Sequence, residues 1–412
     1  MSNTVPSGWS VHELGDLAHR IEGGGTPSRT EASFWNGDIP WATVKDLRAV
    51  SLRSTEEHIT ELGLKNSSSK LIPANTIIIA TRMAVGKAVF FDRDVAINQD
   101  LKAFYPKSGT NWRFLLQWYL AQSEKVENLA TGSTVKGIRL DELKLLPIDL
   151  PPLSEQQKIA AILSSVDDVI EKTRTQIDKL KDLKTGMMQE LLTKGIGHTE
   201  FKDSPVGLIP TDWQIYDLGD LAIKVEGGGT PPRSEVSYWN GDIPWATVKD
   251  LRAVSLSSTE EHITQRGLES SSSKLVPAHT MIIACRMAVG KAVYFDRDVA
   301  INQDLKAFYT KEGVDSQFIL HWYLYQSEKI KSLATGSTVK GIRLDDIRTL
   351  PIALPSLLEQ QKIAKVLSAL EEKVEKKQRY SEGLDALKQA LMQDLLTGKV
   401  RVKVDHKESA VA

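Results

Sequence analysis

Two kinds of hydrophobic spacing alternate along the chain. Residues 75–83 (NTIIIATRM), 87–92 and 101–105 are short apolar, β-branched or aromatic runs bounded by turn-forming residues, a pattern that predicts strands. Across residues 111–130, Phe114, Leu115, Trp118, Tyr119 and Val126 recur at helical spacing and predict a helix with one apolar side. Glycine and serine clusters at 23–25 and 67–69 mark loops, the glycine run reading as a tight turn. After Pro151 and Pro152 the pattern changes in kind. Residues 154–193 hold no proline and one glycine, Gly186, and their apolar positions follow spacings of three and four: Ile159, Leu163, Val166, Ile170, Ile177, Leu180, Met187 and Leu191. Ser154 followed by Gln157 reads as a capping box at the start. About 40 residues at 1.5 Å each make a rod of about 60 Å.

The whole pattern then occurs a second time. Trp9 matches Trp213, Gly23 matches Gly227 and Glu155 matches Glu359, each pair 204 positions apart (213 minus 9, 227 minus 23, 359 minus 155). Between residues 35–64 and 239–268 only three positions differ, Arg53/Ser257, Glu61/Gln265 and Leu62/Arg266. The run LATGSTVKGIRL at 129–140 returns unchanged at 333–344. A period this long excludes a solenoid and leaves two copies of a two-part module, a mixed α/β domain followed by a long helix. In the second helix the apolar seam is Ile363, Leu367, Leu370, Val374, Leu384, Leu387, Leu391 and Leu395, and Ser356 with Glu359 supplies its capping box. Seams of this length need a partner, and the other copy's seam is the nearest candidate. The expected segments are a domain at 1–152, a helix at 153–197, a second domain at 198–356, and a helix with a tail at 357–412.

Composition narrows the class. At 41% hydrophobic and 25% charged residues this is the make-up of a globular chain, and no run of about 18 apolar residues predicts a membrane span. The opening MSNTVPSGWS carries neither a basic stretch nor an apolar core, so a secretory leader is not expected. Cys285 is the only cysteine, which excludes an internal disulfide and a cysteine-cluster metal site and fits a reducing cytoplasm. The net charge of −1 argues against indiscriminate coating of nucleic acid but decides nothing by itself, since any basic surface must be gathered by folding or supplied by a partner. There is no Walker loop, G-x-G-x-x-G or H-E-x-x-H, nor the [ND]-P-P-[YF] motif of an amino-methyltransferase. Of eight histidines only His58 and His262 are repeat-matched, and neither has metal-ligand spacing. No catalytic residue and no metal site is expected.

Four motifs in order, WNGDIPWATVKDL, INQDLK, TGSTVKGI and PLSEQQKIA leading into the long helix, resemble the specificity subunits of Type I restriction-modification enzymes. The resemblance runs through nearly the whole chain, twice. It implies a target recognition domain followed by a spacer helix in each half. It implies that the two helices pack as an antiparallel coiled coil, which would give the direct repeat a pseudo-two-fold axis. It also implies partners: double-stranded DNA, two methyltransferase subunits, and restriction/translocase subunits. S-adenosylmethionine and ATP would be held by those partners, and this chain would bind no cofactor, do no chemistry and need no membrane. The contrasting expectation is a two-headed coiled-coil adaptor whose heads bind proteins.

If DNA is the ligand, base edges are read by Arg, Lys, Asn and Gln, while phosphates take Lys, Arg, hydroxyls and backbone N–H groups. The repeat-matched candidates are Arg82/Arg286 after an apolar strand, Lys87/Lys291, and the amides Asn98/Asn302 and Gln99/Gln303. Lys45/Lys249, Arg48/Arg252 and Lys70/Lys274 add cations. Thr131/Thr335, Ser133/Ser337, Lys136/Lys340 and Arg139/Arg343 lie in a segment of small residues suited to a phosphate backbone. Each has a plainer reading: Asn98 and Gln99 as turn residues, Lys45 and Arg48 as solvated charges, Trp35 and Trp41 as core. Near-duplicate domains related by a two-fold axis should select the same half-site in opposite orientations, and half-sites about 34–36 Å apart would suit binding on one face of the duplex.

Overall fold

The computed structural model of the protein describes residues 5–336 and 339–404, so Ser337 lies outside the described residues. The chain divides into two compact units, Met1–Lys172 with Ser381–Ala412, and Thr173–Tyr380. Both boundaries fall inside long helices, Leu153–Thr193 and Leu357–Leu395. Packing therefore divides the chain differently from the four segments read in the sequence. Each unit holds one α/β domain, the first part of the helix that follows it and part of the other helix.

In the first unit the strands are β1 (Ser10–Glu13), β2 (Ala18–Gly23), β3 (Trp35–Ala42), β4 (Ser51–Leu52), β5 (Glu57–Ile59), β6 (Lys70–Ile72), β7 (Ile77–Ala80), β8 (Ala88–Phe91), β9 (Val95–Ile97), β10 (Leu101–Pro106) and β11 (Pro147–Leu150). They form a five-stranded sheet in the order β2-β10-β7-β8-β4, a four-stranded sheet β5-β3-β9-β6 and the pair β1-β11. Pairing is antiparallel except between β4 and β8 and between β3 and β9. The central β7 shows why an unbroken apolar run was needed. Its side chains alternate, Ile77 and Ile79 into a cluster with Phe104, Phe114, Trp118 and Tyr119, Ile78 and Ala80 into one with Phe91, Ile97 and Leu101.

The first of those clusters extends onto the helices. Ile159, Ala160 and Leu163 from the start of the first long helix and Leu395 and Leu396 from the end of the second are buried in it. The Lys388 Nζ lies 2.6 Å from Asp167 in the same unit. In the second unit, Met188 and Leu192 pack with Ile363, Ala364 and Leu367, while Lys377 donates to Gln176 (2.8 Å) and Lys184 pairs with Glu371. Within each unit the helices therefore run antiparallel. The second unit repeats the topology, its five-stranded order being Ala222–Gly227, Leu305–Thr310, Met281–Ala284, Ala292–Phe295, Ser255–Leu256.

The motif PLSEQQKIA is the joint between domain and helix. Gln156 is buried with its amide engaged: it accepts from the Asn111 N–H (2.7 Å) and donates to the Pro151 carbonyl (2.8 Å). Glu155 accepts from Trp9 Nε1 (3.1 Å) and receives the Arg401 guanidinium through two bonds of 2.8 Å. In the second unit Gln360 and Glu359 repeat this on Asp315 and Trp213, with His198 closing the group at 2.8 Å.

Three local expectations change. Ser154 does not cap the first long helix: the helix starts at Leu153, and the Pro152 carbonyl accepts the Glu155 and Gln156 amides. Ser356, the repeat match of Pro152, does cap, accepting from the Glu359 N–H at 3.4 Å. The predicted helix at 111–130 is two helices, Trp112–Ala121 and Ser123–Leu129, meeting at Gln122, which leaves helical geometry. The glycine run is no turn but a close approach. A Cβ on Gly24 would sit 1.8 Å from the Ile97 carbonyl oxygen, and the Gly25 N–H donates to that carbonyl (3.0 Å) while its own carbonyl accepts from Trp41 Nε1 (3.1 Å).

Candidate nucleic-acid interface

Three loops that are far apart in sequence meet at the end of β7. The turn at 98–101 joins β9 to β10, and its Asp100 carbonyl accepts the Thr81 N–H (2.9 Å) and hydroxyl (3.1 Å). The segment 131–139 folds back on itself, Thr131 and Gly137 exchanging two 2.9 Å backbone bonds. It then pairs with the β7–β8 loop: the Ile138 N–H donates to Thr81 (2.9 Å) and the Met83 N–H to the Lys136 carbonyl (2.9 Å). Gly132, at φ +124°, turns this segment, and a Cβ there would meet the Val135 carbonyl oxygen at 2.3 Å.

The exposed side chains on this rim are mostly cationic or hydrogen-bonding. Arg82 is more than half exposed, and its guanidinium lies 3.5 Å from the buried Asp100 carboxylate, so it is aimed while its outer face stays in water. The side chains of Thr131, Ser133, Lys136 and Arg139 are all exposed. Gln99 is exposed and accepts from the Thr26 hydroxyl (2.6 Å), which fixes the amide orientation and turns its NH2 group outward as a donor. Asn98 differs. It is buried, with its NH2 on Asp100 (3.0 Å) and its oxygen accepting the Asp100 N–H (3.1 Å), so it builds the turn and presents nothing to a ligand. Asn302 does the same with Asp304.

The remaining candidates flank this center. Lys70 is exposed at the start of β6, in register with Ile97, the residue before the turn. Lys87 is exposed at the base of the β7–β8 loop and its ammonium donates to the Leu47 carbonyl (3.2 Å). That bond ties it to the short helical turn bearing Lys45 and Arg48, both exposed, with Arg48 paired to Glu56. The second domain places Arg286, Lys291, Gln303, Thr335, Lys340, Arg343, Lys249, Arg252 and Lys274 in the matching positions, all exposed, with Arg252 paired to Glu260, Arg286 3.7 Å from Asp304, Lys291 donating to the Leu251 carbonyl (2.8 Å) and Gln303 accepting from the Thr230 hydroxyl (2.6 Å).

Sequence reasoning passed over several neighbors. Lys102 and Lys306 close the INQDLK motif, and Lys102 Nζ reaches the Gln99 carbonyl at 3.3 Å. Their place at the end of a motif already singled out was the available signal. Arg29 is held on the Trp35 ring at 3.8 Å and bonded to Glu57, an arrangement repeated by Arg233, Trp239 and Glu261. The hydrogen bond from Arg29 holds the Glu57 carboxyl below its ordinary range. Trp41 itself is core, the plainer of its two readings. Among the described residues no group of three or more His, Cys, Asp or Glu is arranged to hold a metal ion, and no helix is long and apolar enough to cross a membrane.

Comparison with known proteins identifies the family. The family model for the Type I restriction modification DNA specificity domain matches twice, over residues 6–182 and 210–382. The chain is 27% identical to the Type I restriction enzyme MjaIX specificity subunit of Methanocaldococcus jannaschii, covering 97% of this chain and 95% of that one. It is 28% identical to the EcoR124I/EcoR124II specificity subunit of Escherichia coli over 54% of this chain and 55% of that one. Among solved structures, the Type I restriction-modification S subunit from M. genitalium shares the fold with a TM-score of 0.64 at 14% identity, over 96% of this chain and 98% of that one. These matches set aside the protein-binding adaptor. With two copies of the specificity domain, each presenting a cationic rim built from the same loops, the chain belongs to the Type I restriction-modification DNA specificity family and serves in DNA recognition.

Proposed function

We propose that this chain reads a bipartite DNA target whose two half-sites are closely similar and inverted, and that it scaffolds methyltransferase and restriction subunits that carry out the chemistry. One observation carries the first part: the two rims are equivalent contact by contact. Arg82 to Asp100 is 3.5 Å and Arg286 to Asp304 is 3.7 Å. Met83 N–H to Lys136 is 2.9 Å and Met287 N–H to Lys340 is 3.0 Å, and Gln99 and Gln303 each accept a threonine hydroxyl at 2.6 Å. Equal donors in equal places select equal bases. The exchange of helix roles, each unit holding the start of its own helix and the end of the other, supports reading the half-sites as inverted.

In this reading Arg82, Gln99 and their matches address base edges. Lys136, Arg139, Lys70, Lys102 and the hydroxyls of Thr131 and Ser133 take phosphates, as do their counterparts in the second copy. Lys45, Arg48 and Lys87 extend the phosphate track. The methyl donor S-adenosylmethionine and ATP belong to the partner subunits. Binding selection from random duplexes, with the chain assembled with its methyltransferase subunits, tests this. Two similar inverted half-sites around an unspecified spacer are expected, and two unrelated half-sites would refute the symmetry.

A further inference from the structure

The rim carries one feature that charge and hydrogen bonding do not explain. At its tip stands Met83, an apolar side chain 56% exposed between Arg82 and the Lys136 loop. Its φ is +62°, a left-handed conformation unusual for a methionine. The Ala84 N–H bonds back to the Arg82 carbonyl at 2.7 Å, closing a three-residue γ-turn around it. Beside it Val135 is 42% exposed. The second copy repeats every element: Met287 at φ +60° and 58% exposed, the Ala288 N–H on Arg286 at 2.6 Å, and Val339 43% exposed. A chain that needed only a turn here would place glycine, asparagine or histidine at the left-handed position, as it does with Asn36, Asn75, Asn240 and His279. Both copies instead keep a large apolar residue in a strained backbone, clamped by a bond to the neighboring loop and directed into solvent among cations.

We propose that Met83 and Met287 are apolar wedges, each pressed against a base step of its half-site and partly unstacking it, with Val135 and Val339 as their shoulders. The inference rests on the rim being the DNA-facing surface. Cations on either side hold the phosphates, and the strained, hydrogen-bonded turn fixes the backbone from which the side chain projects, so that contact does not push the loop back. An unbranched, polarizable side chain suits the irregular gap between bases. A wedge makes part of the specificity depend on how readily a step unstacks, and not on base-edge hydrogen bonds alone.

The test uses the full chain assembled with its methyltransferase subunits and a duplex of the selected sequence carrying 2-aminopurine at successive half-site positions. Binding should raise the fluorescence at one step in each half-site, and the Met83→Ala/Met287→Ala variant should abolish the rise. That variant should also bind the selected duplex about 10- to 100-fold more weakly and bind random duplex unchanged. Met83→Gly/Met287→Gly should lose the same fluorescence yet melt at the parent temperature or above, because glycine accepts the left-handed backbone. Undiminished affinity and fluorescence in the alanine variant would overturn the wedge. So would a lower melting temperature in the glycine variant, which would make the methionine a fold element, or loss of methyltransferase co-purification with DNA binding intact, which would make it a docking residue. Arg82→Ala/Arg286→Ala separates the two readings. If it weakens DNA binding while the methionine variants do not, only the wedge fails; if neither matters, the rim is not the DNA surface and both fail.

Discussion

The two domains agree at the rim and disagree where they meet the long helices. Around Arg82 and Arg286 the ion-pair distances are 3.5 and 3.7 Å, Lys87 and Lys291 reach their carbonyls at 3.2 and 2.8 Å, and the same side chains recur except that Thr81 becomes Cys285. At the joints the chemistry diverges. Glu155 holds an arginine, Arg401, and Glu359 a histidine, His198. Gln117, bonded to Asp167 at 2.6 Å, becomes His321, bonded to Ser368 at 2.9 Å. The difference teaches which parts have interchangeable solutions. A joint needs only a buried acceptor satisfied by some donor, and several residues can supply one. On the proposed function, the rim reads a base and so needs a particular donor at a particular height.

The largest break in this comparison should come from acid. His321 is buried, and burial together with the nearby Lys184 charge pushes its pKa down to about 4. Unfolding returns it to about 6.5, so between those values the unfolded chain binds the extra proton. The stability this contributes is whole above about pH 6.5 and is lost as pH falls toward 4, amounting to about 3 kcal/mol. The first unit, with Gln117 in that place, has no such loss. Denaturation of the full chain at pH 7 and pH 4.5 should show the second unit weakening selectively, and His321→Gln should remove the difference; equal weakening of both units would refute this.

Next in size is Glu155→Ala, which strips Trp9 and Arg401 of their acceptor. Breaking a buried pair typically costs about 3–5 kcal/mol, and because the Arg401 side chain is 43% exposed the cost here should be about 2–3 kcal/mol. Urea unfolding followed by the Trp9 environment would measure it. Arg82→Ala should then make a symmetric target asymmetric, with binding selection returning one intact and one relaxed half-site. The affinity loss should be about 1–3 kcal/mol, and Arg286→Ala should relax the other half-site. Smallest is Cys285→Thr, which restores the hydroxyl that Thr81 directs at the Asp100 carbonyl in the first copy. Burial lifts the Cys285 thiol pKa to about 11, so it acts as a small apolar group, and the change should shift stability by about 1 kcal/mol or less and leave the target unaltered. A changed half-site would show that packing behind Arg286 steers the reading.

Much of this architecture was legible in the chain before any coordinates, because it is written in local spacing. The strand runs around residues 77–80, 88–91 and 101–106 and both long helices follow from which neighbors along the chain are apolar, and the repeat is visible by alignment alone. Most of the cationic candidates also proved to lie on or beside one rim, since repeat-matched cations outside helices have few places to go. Tertiary structure decided the rest. Asn98 and Gln99 are adjacent amides, yet one is buried on Asp100 and the other faces water, a choice made by how the turn seats against Thr81 and Thr26. Nothing in M-A-V-G marks Met83 as exposed and left-handed; the loop at 131–139 imposes that from more than 50 positions away (136 minus 83 is 53). Nor could the helix seams show that compact units would cut across them. Spacing specifies what each segment can bury, but which polar group finds which partner depends on contacts that exist only once distant segments have met.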